Sequence, residues 1–291
     1  MKSPPFDYVK ARTVEHALEL LAQHGDDARI LAGGQTLLAT LNMRLSEPAL
    51  LVDITGIESL RGIERRGDRL HLGALATHTQ IEASSLVAEH APLLAAAAPH
   101  IAHRAIRNAG TWGGSIAFGD PAAEWPCCLV ALDGVVTVQG PGGQRRVAAT
   151  DFFRDLYTTD LAADEIVVGA DVPCATTVDW FGFDELSRRH GDYATAGLAV
   201  AASFDGTVAR AVRLAFLGIG ATPVRARRTE ALLAGKTLDS GMIEIAVASL
   251  KAELDPMPDL THAGATKRHL ATVLARRLLT AAHASRSAFA M

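Results

Sequence analysis

The chain has 291 residues, 49% of them hydrophobic, enough for a substantial core and for one large domain or two. The formal net charge is −4, with acidic and basic residues interspersed, and without a basic block nucleic acid is not an expected partner. The opening MKSPPFDYVKARTVEH has no apolar signal core, and no stretch approaches about 18 uninterrupted apolar residues, so a soluble cytoplasmic protein with no membrane span is expected.

In chain order, Thr13 is placed to cap a helix that Gly25 stops near His24. Val14, Leu18, Leu21 and Ala22 give that helix one buried face. ARILAGG is a short strand running into a turn, and QTLLATLNMRL has helical character straight after it. LLVDIT and RLHLGALAT are strands, and THTQIEAS opens a short helix. APLLAAAAPHIAH is alanine-rich and helical. Pro121 suits the first turn of a helix through about Ala131, with Asp120 as its cap. DGVVTVQGPGGQRRV predicts a hairpin around Pro141, Gly142 and Gly143, and EIVVGADVP another strand. From Trp180, WFGFDELSRR, TAGLAVAASF and ARAVRLAFLGIG predict three long antiparallel strands. Helices follow over Pro223–Ala234, Gly241–Leu254 and Ala265–His283. The order is an α+β pattern rather than regular βαβ winding. A boundary is expected near residue 175, which gives domains over 1–175 and 176–291.

There are three cysteines. Cys127 and Cys128 lie in the apolar helical pattern WPCCLVAL and read as buried structural thiols. With Cys174 the number is odd, which argues against a disulfide framework. It also falls short of the four thiolates that an iron–sulfur cluster usually needs.

Two glycine-rich turns carry the functional signal. In AGGQT a strand delivers Gly33 and Gly34 and a helix begins at once. Glycine admits positive φ and close backbone approach, while a helix start offers unpaired N–H groups. The combination suits a pyrophosphate, with the Thr36 hydroxyl as a further donor. The plainer reading is a strand–helix turn. In GTWGGSIAFGDPAAE, Thr111, Gly113, Gly114 and Ser115 surround a second arc of exposed backbone. Ile116 and Ala117 offer an apolar wall for a flat ring. Asp120 and Glu124 stand one helical turn apart, able to accept from sugar hydroxyls, or serving only as a cap and a solvated acid. Two such turns without a phosphate-loop lysine favour one large nucleotide cofactor.

AGGQTLL, LVDITGIESLRGI, RNAGTWGGSIAFGDPAAEWP, DFF at Asp151–Phe153, RRHGDYATAGLAVA and THAGATKRHLATVLARRLL together resemble the FAD-binding medium subunits of the molybdenum hydroxylases. Aerobic carbon monoxide dehydrogenase is one such enzyme, and the flavin domain of xanthine dehydrogenase is similar. The resemblance covers nearly the whole chain. It implies a two-part FAD-binding domain of the vanillyl-alcohol-oxidase/PCMH type, followed by a C-terminal antiparallel sheet with helices. It implies that the main chain over Ala32, Gly33, Gly34, Gln35, Thr36 and Leu37 grips the pyrophosphate. Thr111, Gly113, Gly114, Ser115 and Ala117 form the second arm, Asp120 and Glu124 reach sugar or ribityl hydroxyls, and Leu161 and Tyr193 lie against the flavin ring. Ring stacking suits Tyr193 independently, as does ordinary strand packing. Gln35 is no nucleophile, so the FAD is expected to be noncovalent.

The resemblance further implies a small subunit with [2Fe-2S] clusters and a large molybdopterin subunit, in a dimer of heterotrimers. Electrons would reach the flavin from the clusters and leave to an external acceptor, with no acid–base or nucleophilic residue in this chain. There are departures. Ser115 stands where Asn is common, Phe118 where a small or polar residue is usual, and Asp184 and Glu185 where a lysine is often near. Two other patterns carry less. Gly218 and Gly220 lack the third glycine of a dinucleotide fingerprint because Pro223 holds that position. His100 and His103 lack a third metal ligand. A standalone flavin oxidase or reductase, and a scaffold that has lost its flavin, are the rival readings.

Overall fold

The computed structural model describes residues 2–289. Three sheets organise the chain. The first is small and parallel: β1 (Asp7–Lys10), β2 (Ala28–Leu31) and β3 (Leu50–Asp53) in the order β1-β3-β2. All four residues of the central β3 are buried, as a strand with neighbours on both sides requires. α1 (Val14–His24) covers this sheet with Val14, Ala17, Leu18 and Leu21. Its start is the expected one, since the Thr13 hydroxyl accepts from His16 N–H. Gly25, at φ 53°, ends it. β2 runs into the first glycine bend, and α2 (Leu37–Asn42) follows directly.

The second sheet is antiparallel and holds β4 (Ile63–Arg66), β5 (Arg69–Gly73), β6 (Val135–Gly140), β7 (Gly143–Ala148) and β10 (Ile166–Pro173), ordered β4-β5-β10-β6-β7. A ribbon of β8 (Phe153–Asp155) and β9 (Thr158–Thr159) lies between β7 and β10 in the chain. Short helices fill the long connection from β5 to β6. They are α3 (His78–Ala83), α4 (Ser85–His90), α5 (Pro92–Ala97), α6 (Arg104–Arg107), α7 (Trp112–Phe118) and α8 (Glu124–Ala131). α9 (Ala149–Phe152) follows β7.

The third sheet contains the three long strands read from the sequence: β11 (Asp179–Leu186), β12 (Ala196–Asp205) and β13 (Val208–Leu217). The short β14 (Val224–Arg225) and β15 (Lys236–Thr237) add to β13. Both faces of this sheet are buried, and side chains alternate between them. Ala199, Ala201, Ala215 and Leu217 enter the core shared with α5 and α8. Leu198, Val200, Ala202, Leu214 and Phe216 enter a second core. α10 (Arg227–Leu233), α11 (Ser240–Glu253) and α12 (Gly264–Phe289) close that second core. Among the described residues no helix is long and apolar enough to cross a membrane.

Three element boundaries differ from the sequence reading. The helix expected from Pro121 begins at Glu124, with Ala123 at the cap position. Asp120 instead accepts from Ala122 N–H at 2.8 Å, closing a tight turn before the helix. Asp120 and Glu124 are therefore not one helical turn apart. The C-terminal helix expected from Pro223 starts at Arg227, because Val224 and Arg225 pair with β13. The second glycine-rich stretch, expected as an open arc, is the helix α7.

Candidate functional site

The two glycine bends meet. A Cβ built on Gly33 would lie 2.2 Å from the Ala109 carbonyl oxygen and 2.8 Å from Gly110 Cα. Only glycine permits this backbone-on-backbone contact. One on Gly114 would lie 3.9 Å from Ala32 Cβ. The first bend thus sits directly against the start and face of the second.

The first bend is rich in free donors. Gly34 has φ +69°, the left-handed region that turns the chain toward α2. Among the described residues none accepts a hydrogen bond from the N–H of Gly33, Gly34, Gln35, Thr36 or Leu37. Among the described residues the Thr36 hydroxyl likewise has no partner, and the Gln35 amide folds back onto the Gly33 carbonyl at 3.0 Å. A row of consecutive, partly exposed N–H groups is an anion cradle. This is the test that the pyrophosphate of FAD must pass, and the residues present fit it.

The second bend contributes differently from the sequence reading. The N–H groups of Trp112 and Gly113 donate to Ala76 O and Ala74 O, each at 2.8 Å. Gly114 N–H donates to the Thr111 hydroxyl at 3.2 Å, and Ser115 N–H to the Thr111 carbonyl at 3.1 Å. These donors are spent on the helix cap and the neighbouring strand end. Gly113 packs on Ala74, where an added Cβ would lie 2.5 Å away. Ile116, read as an apolar wall, is fully buried. The partly exposed face of α7 is Gly114, Ser115, Ala117 and Phe118.

Beyond α7 lies an acid-rich end. Burial raises the Asp120 carboxyl, partly offset by its bond from Ala122 N–H. Glu124, partly buried at the start of α8, is pushed up to about 8 by burial and then by Glu185. Tyr193 is 71% exposed, yet its phenol is raised by surrounding protein and then by Asp120, Tyr157 and Glu124. Gly191, at φ +85°, seats the Tyr193 loop on the His103 ring, to which an added Cβ would approach within 2.7 Å. Phe118 packs against Tyr157 with ring centres 5.1 Å apart and planes tilted by 46°, and Leu161 packs partly buried against the central core. A cavity of about 210 Å³ beside Phe153, Thr222 and Arg225 includes none of these residues.

Two residues escaped sequence reasoning. One is His78, which buttresses the bend crossing. Its backbone N–H donates to Gly110 O at 3.0 Å, and an added Cβ on Gly110 would lie 2.7 Å from its Nε2. Trp125 Nε1–H donates to His78 Nδ1 at 2.9 Å, so the neutral ring carries its proton on Nε2. Burial, then the Arg107 charge, lowers its pKa to about 4. Trp125 is distant in sequence, so no local signal announces the pair. The other is Glu185, noted only as a departure. Its place two residues after Phe183 and four after Phe181, on one strand face, was the available signal for burial.

The family model described as the FAD binding domain in molybdopterin dehydrogenase matches residues 4–175. That of the CO dehydrogenase flavoprotein C-terminal domain matches residues 181–282. The 6-hydroxypseudooxynicotine dehydrogenase complex subunit alpha of Paenarthrobacter nicotinovorans is 41% identical, over 98% of this chain and 97% of its own length. The carbon monoxide dehydrogenase medium chain of Hydrogenophaga pseudoflava is 34% identical, over 98% of this chain and 99% of its own. A solved structure of the Hydrogenophaga pseudoflava carbon monoxide dehydrogenase, in a form lacking the Mo-pyranopterin moiety of its cofactor, superposes with a TM-score of 0.95 at 36% identity. It covers 98% of this chain and 99% of that one.

Proposed function

The chain belongs to the family of FAD-binding medium subunits of molybdenum hydroxylases, and from that premise we propose that it passes electrons from a partner's iron–sulfur clusters to an external acceptor. The observation that carries this reading is the junction of the two bends, with its row of free N–H groups over Gly33–Leu37 beside the Gly114 face of α7.

Bound FAD supplies the redox chemistry, accepting and returning electrons singly or in pairs. The protein supplies position and field. The first bend holds the pyrophosphate through main-chain donors and the Thr36 hydroxyl. Gly114, Ser115 and Ala117 give the second arm a low relief that leaves room for the cofactor. Asp120 and Glu124 accept from its hydroxyls, and Leu161 and the exposed Tyr193 ring flank the flavin. Gln35, turned onto Gly33 O, offers no nucleophile, which supports noncovalent attachment.

Electrons come from outside the chain. Burial pushes the Cys127 and Cys128 thiols well above their ordinary range, and Cys127 donates to Ala215 O, so neither suits cluster ligation. The donor is a small [2Fe-2S] subunit. A large molybdopterin subunit oxidises the organic substrate, and the assembly is a dimer of heterotrimers in the cytoplasm. Within the chain, residues 1–175 bind the cofactor and 176–291 form the C-terminal domain. The test is native purification with cofactor and metal analysis. Visible flavin absorbance together with co-purifying iron–sulfur and molybdenum chains is expected. Flavin without companion chains would indicate a standalone oxidase or reductase, and a colourless protein would overturn flavin binding.

A further inference from the structure

Lys267 is a buried cation with two partners. It stands in the first turn of α12 and is 6% exposed. Its ammonium donates to Gly218 O at 2.9 Å and pairs with Asp259 at 2.7 Å. Lysine is seldom buried unless paired, and a charge-assisted bond is roughly twice as strong as a neutral one. Asp259 lies in the segment leading into α12, where it also accepts from Thr261 and His262 N–H. Its carboxyl is held well below the usual carboxylate range, first by the bond from Lys267. The cation is thereby aimed at the main chain of Gly218. Met257 N–H reaches the same turn, donating to Ile219 O at 3.1 Å.

Gly218 follows β13 and touches two site segments at once. Its N–H donates to Pro121 O at 2.8 Å, in the turn that carries Asp120 and leads to Glu124. Its φ is +76°, and an added Cβ would lie 2.8 Å from Ala194 O and 3.0 Å from Thr195 O, directly after Tyr193. Those obstacles are backbone, so glycine alone permits this seat. Thr195 N–H donates in turn to Leu186 O, the last residue of β11, at 2.8 Å. The Gly218 peptide is therefore a crossbar between the Asp120 turn and the run from Tyr193 into β12. The first glycine of the failed dinucleotide pattern has this geometric purpose.

We propose that Lys267 is a positioning residue for the flavin-ring end of the groove: by fixing the Gly218 carbonyl, it sets the Asp120 turn and the Tyr193 segment at their working distance. The proposal rests on the FAD reading above for its consequence, while the fastening of Gly218 concerns this chain alone. Arg268, the next residue, is the natural comparison. Its guanidinium donates to Leu254 O at 2.8 Å and to Asp255 at 3.0 Å, tying α12 to the end of α11. Removing either side chain cuts a charged tie of the same helical turn, and only Lys267 holds the crossbar.

Hydrogen exchange of the full chain, resolved to single amides, reads the fastening. Lys267→Met should speed exchange at Gly218 and Thr195 by about tenfold or more, the loss expected for one charged hydrogen bond. Arg268→Met should leave both at parent rates. Parent rates in Lys267→Met, or equal acceleration in Arg268→Met, overturn the proposal. Should Lys267→Met fail to fold, Asp259→Ala removes the partner that aims the ammonium and is read the same way. FAD titration of the apoprotein, with visible circular dichroism of the bound flavin, reads the consequence. Lys267→Met should bind FAD roughly tenfold more weakly and with an altered dichroic band, while Arg268→Met matches the parent in both. A Lys267→Met protein that matches the parent in affinity and band overturns the positioning role. A parent chain that takes up no FAD overturns the cofactor reading instead, and hydrogen exchange still decides the fastening.

Discussion

Gly33→Ala is the sharpest probe of the bend junction. The added Cβ starts 2.2 Å from the Ala109 carbonyl oxygen, and restoring an ordinary 3.4 Å contact requires about 1.2 Å of separation. The obstacle is backbone, so no side-chain rotation relieves it. Overpacking of this kind typically costs about 1–3 kcal/mol. Both bends belong to the candidate cofactor site, so the displacement falls on the groove that would hold FAD. At about 1.4 kcal/mol per tenfold, affinity should drop roughly 5- to 150-fold. Gly142→Ala is the control, because its Cβ enters open space at the hairpin tip and its φ is not left-handed. The assay is quenching of flavin fluorescence on titrating FAD with apoprotein. A Gly33→Ala affinity within about twofold of the control would refute the placement of the cofactor at this junction.

Other outcomes follow from the same geometry. Gly114→Val should abolish flavin retention through purification, since its bulk displaces the Thr111 hydroxyl 2.8 Å away and fills the gap toward Ala32; a yellow variant contradicts this. Tyr193→Ala should change flavin reoxidation in stopped flow while leaving thermal stability nearly intact, because the ring is exposed. Unaltered reoxidation removes Tyr193 from the site. His78 stabilises the fold fully above pH 6.5, where folded and unfolded forms are both neutral. As pH falls toward its folded value of about 4, only the unfolded ring gains a proton. The stability gap between the parent and His78→Gln should therefore shrink by roughly 2–3 kcal/mol from pH 7 to pH 4 in chemical denaturation. A constant gap is the contrary result.

The sequence by itself carried the local structure with short-range causes. Thr13 and Gly25 bound α1, the Pro141–Gly143 turn makes its hairpin, and β11, β12 and β13 follow from long alternating apolar runs. It also carried the paired glycine bends, because only small residues permit such turns. It could not say what each glycine makes room for. Gly33 yields to Ala109 and Gly113 to Ala74, contacts that exist only once distant segments are docked. The spent donors of α7, the Trp125 bond that fixes the His78 tautomer, and the burial of Glu185 near His100 likewise depend on partners far along the chain. Hydrogen-bond supply and carboxyl charge are set by neighbours in space and by exclusion of water. The tertiary structure alone therefore decided which bend presents donors and which tautomer the buried His78 holds.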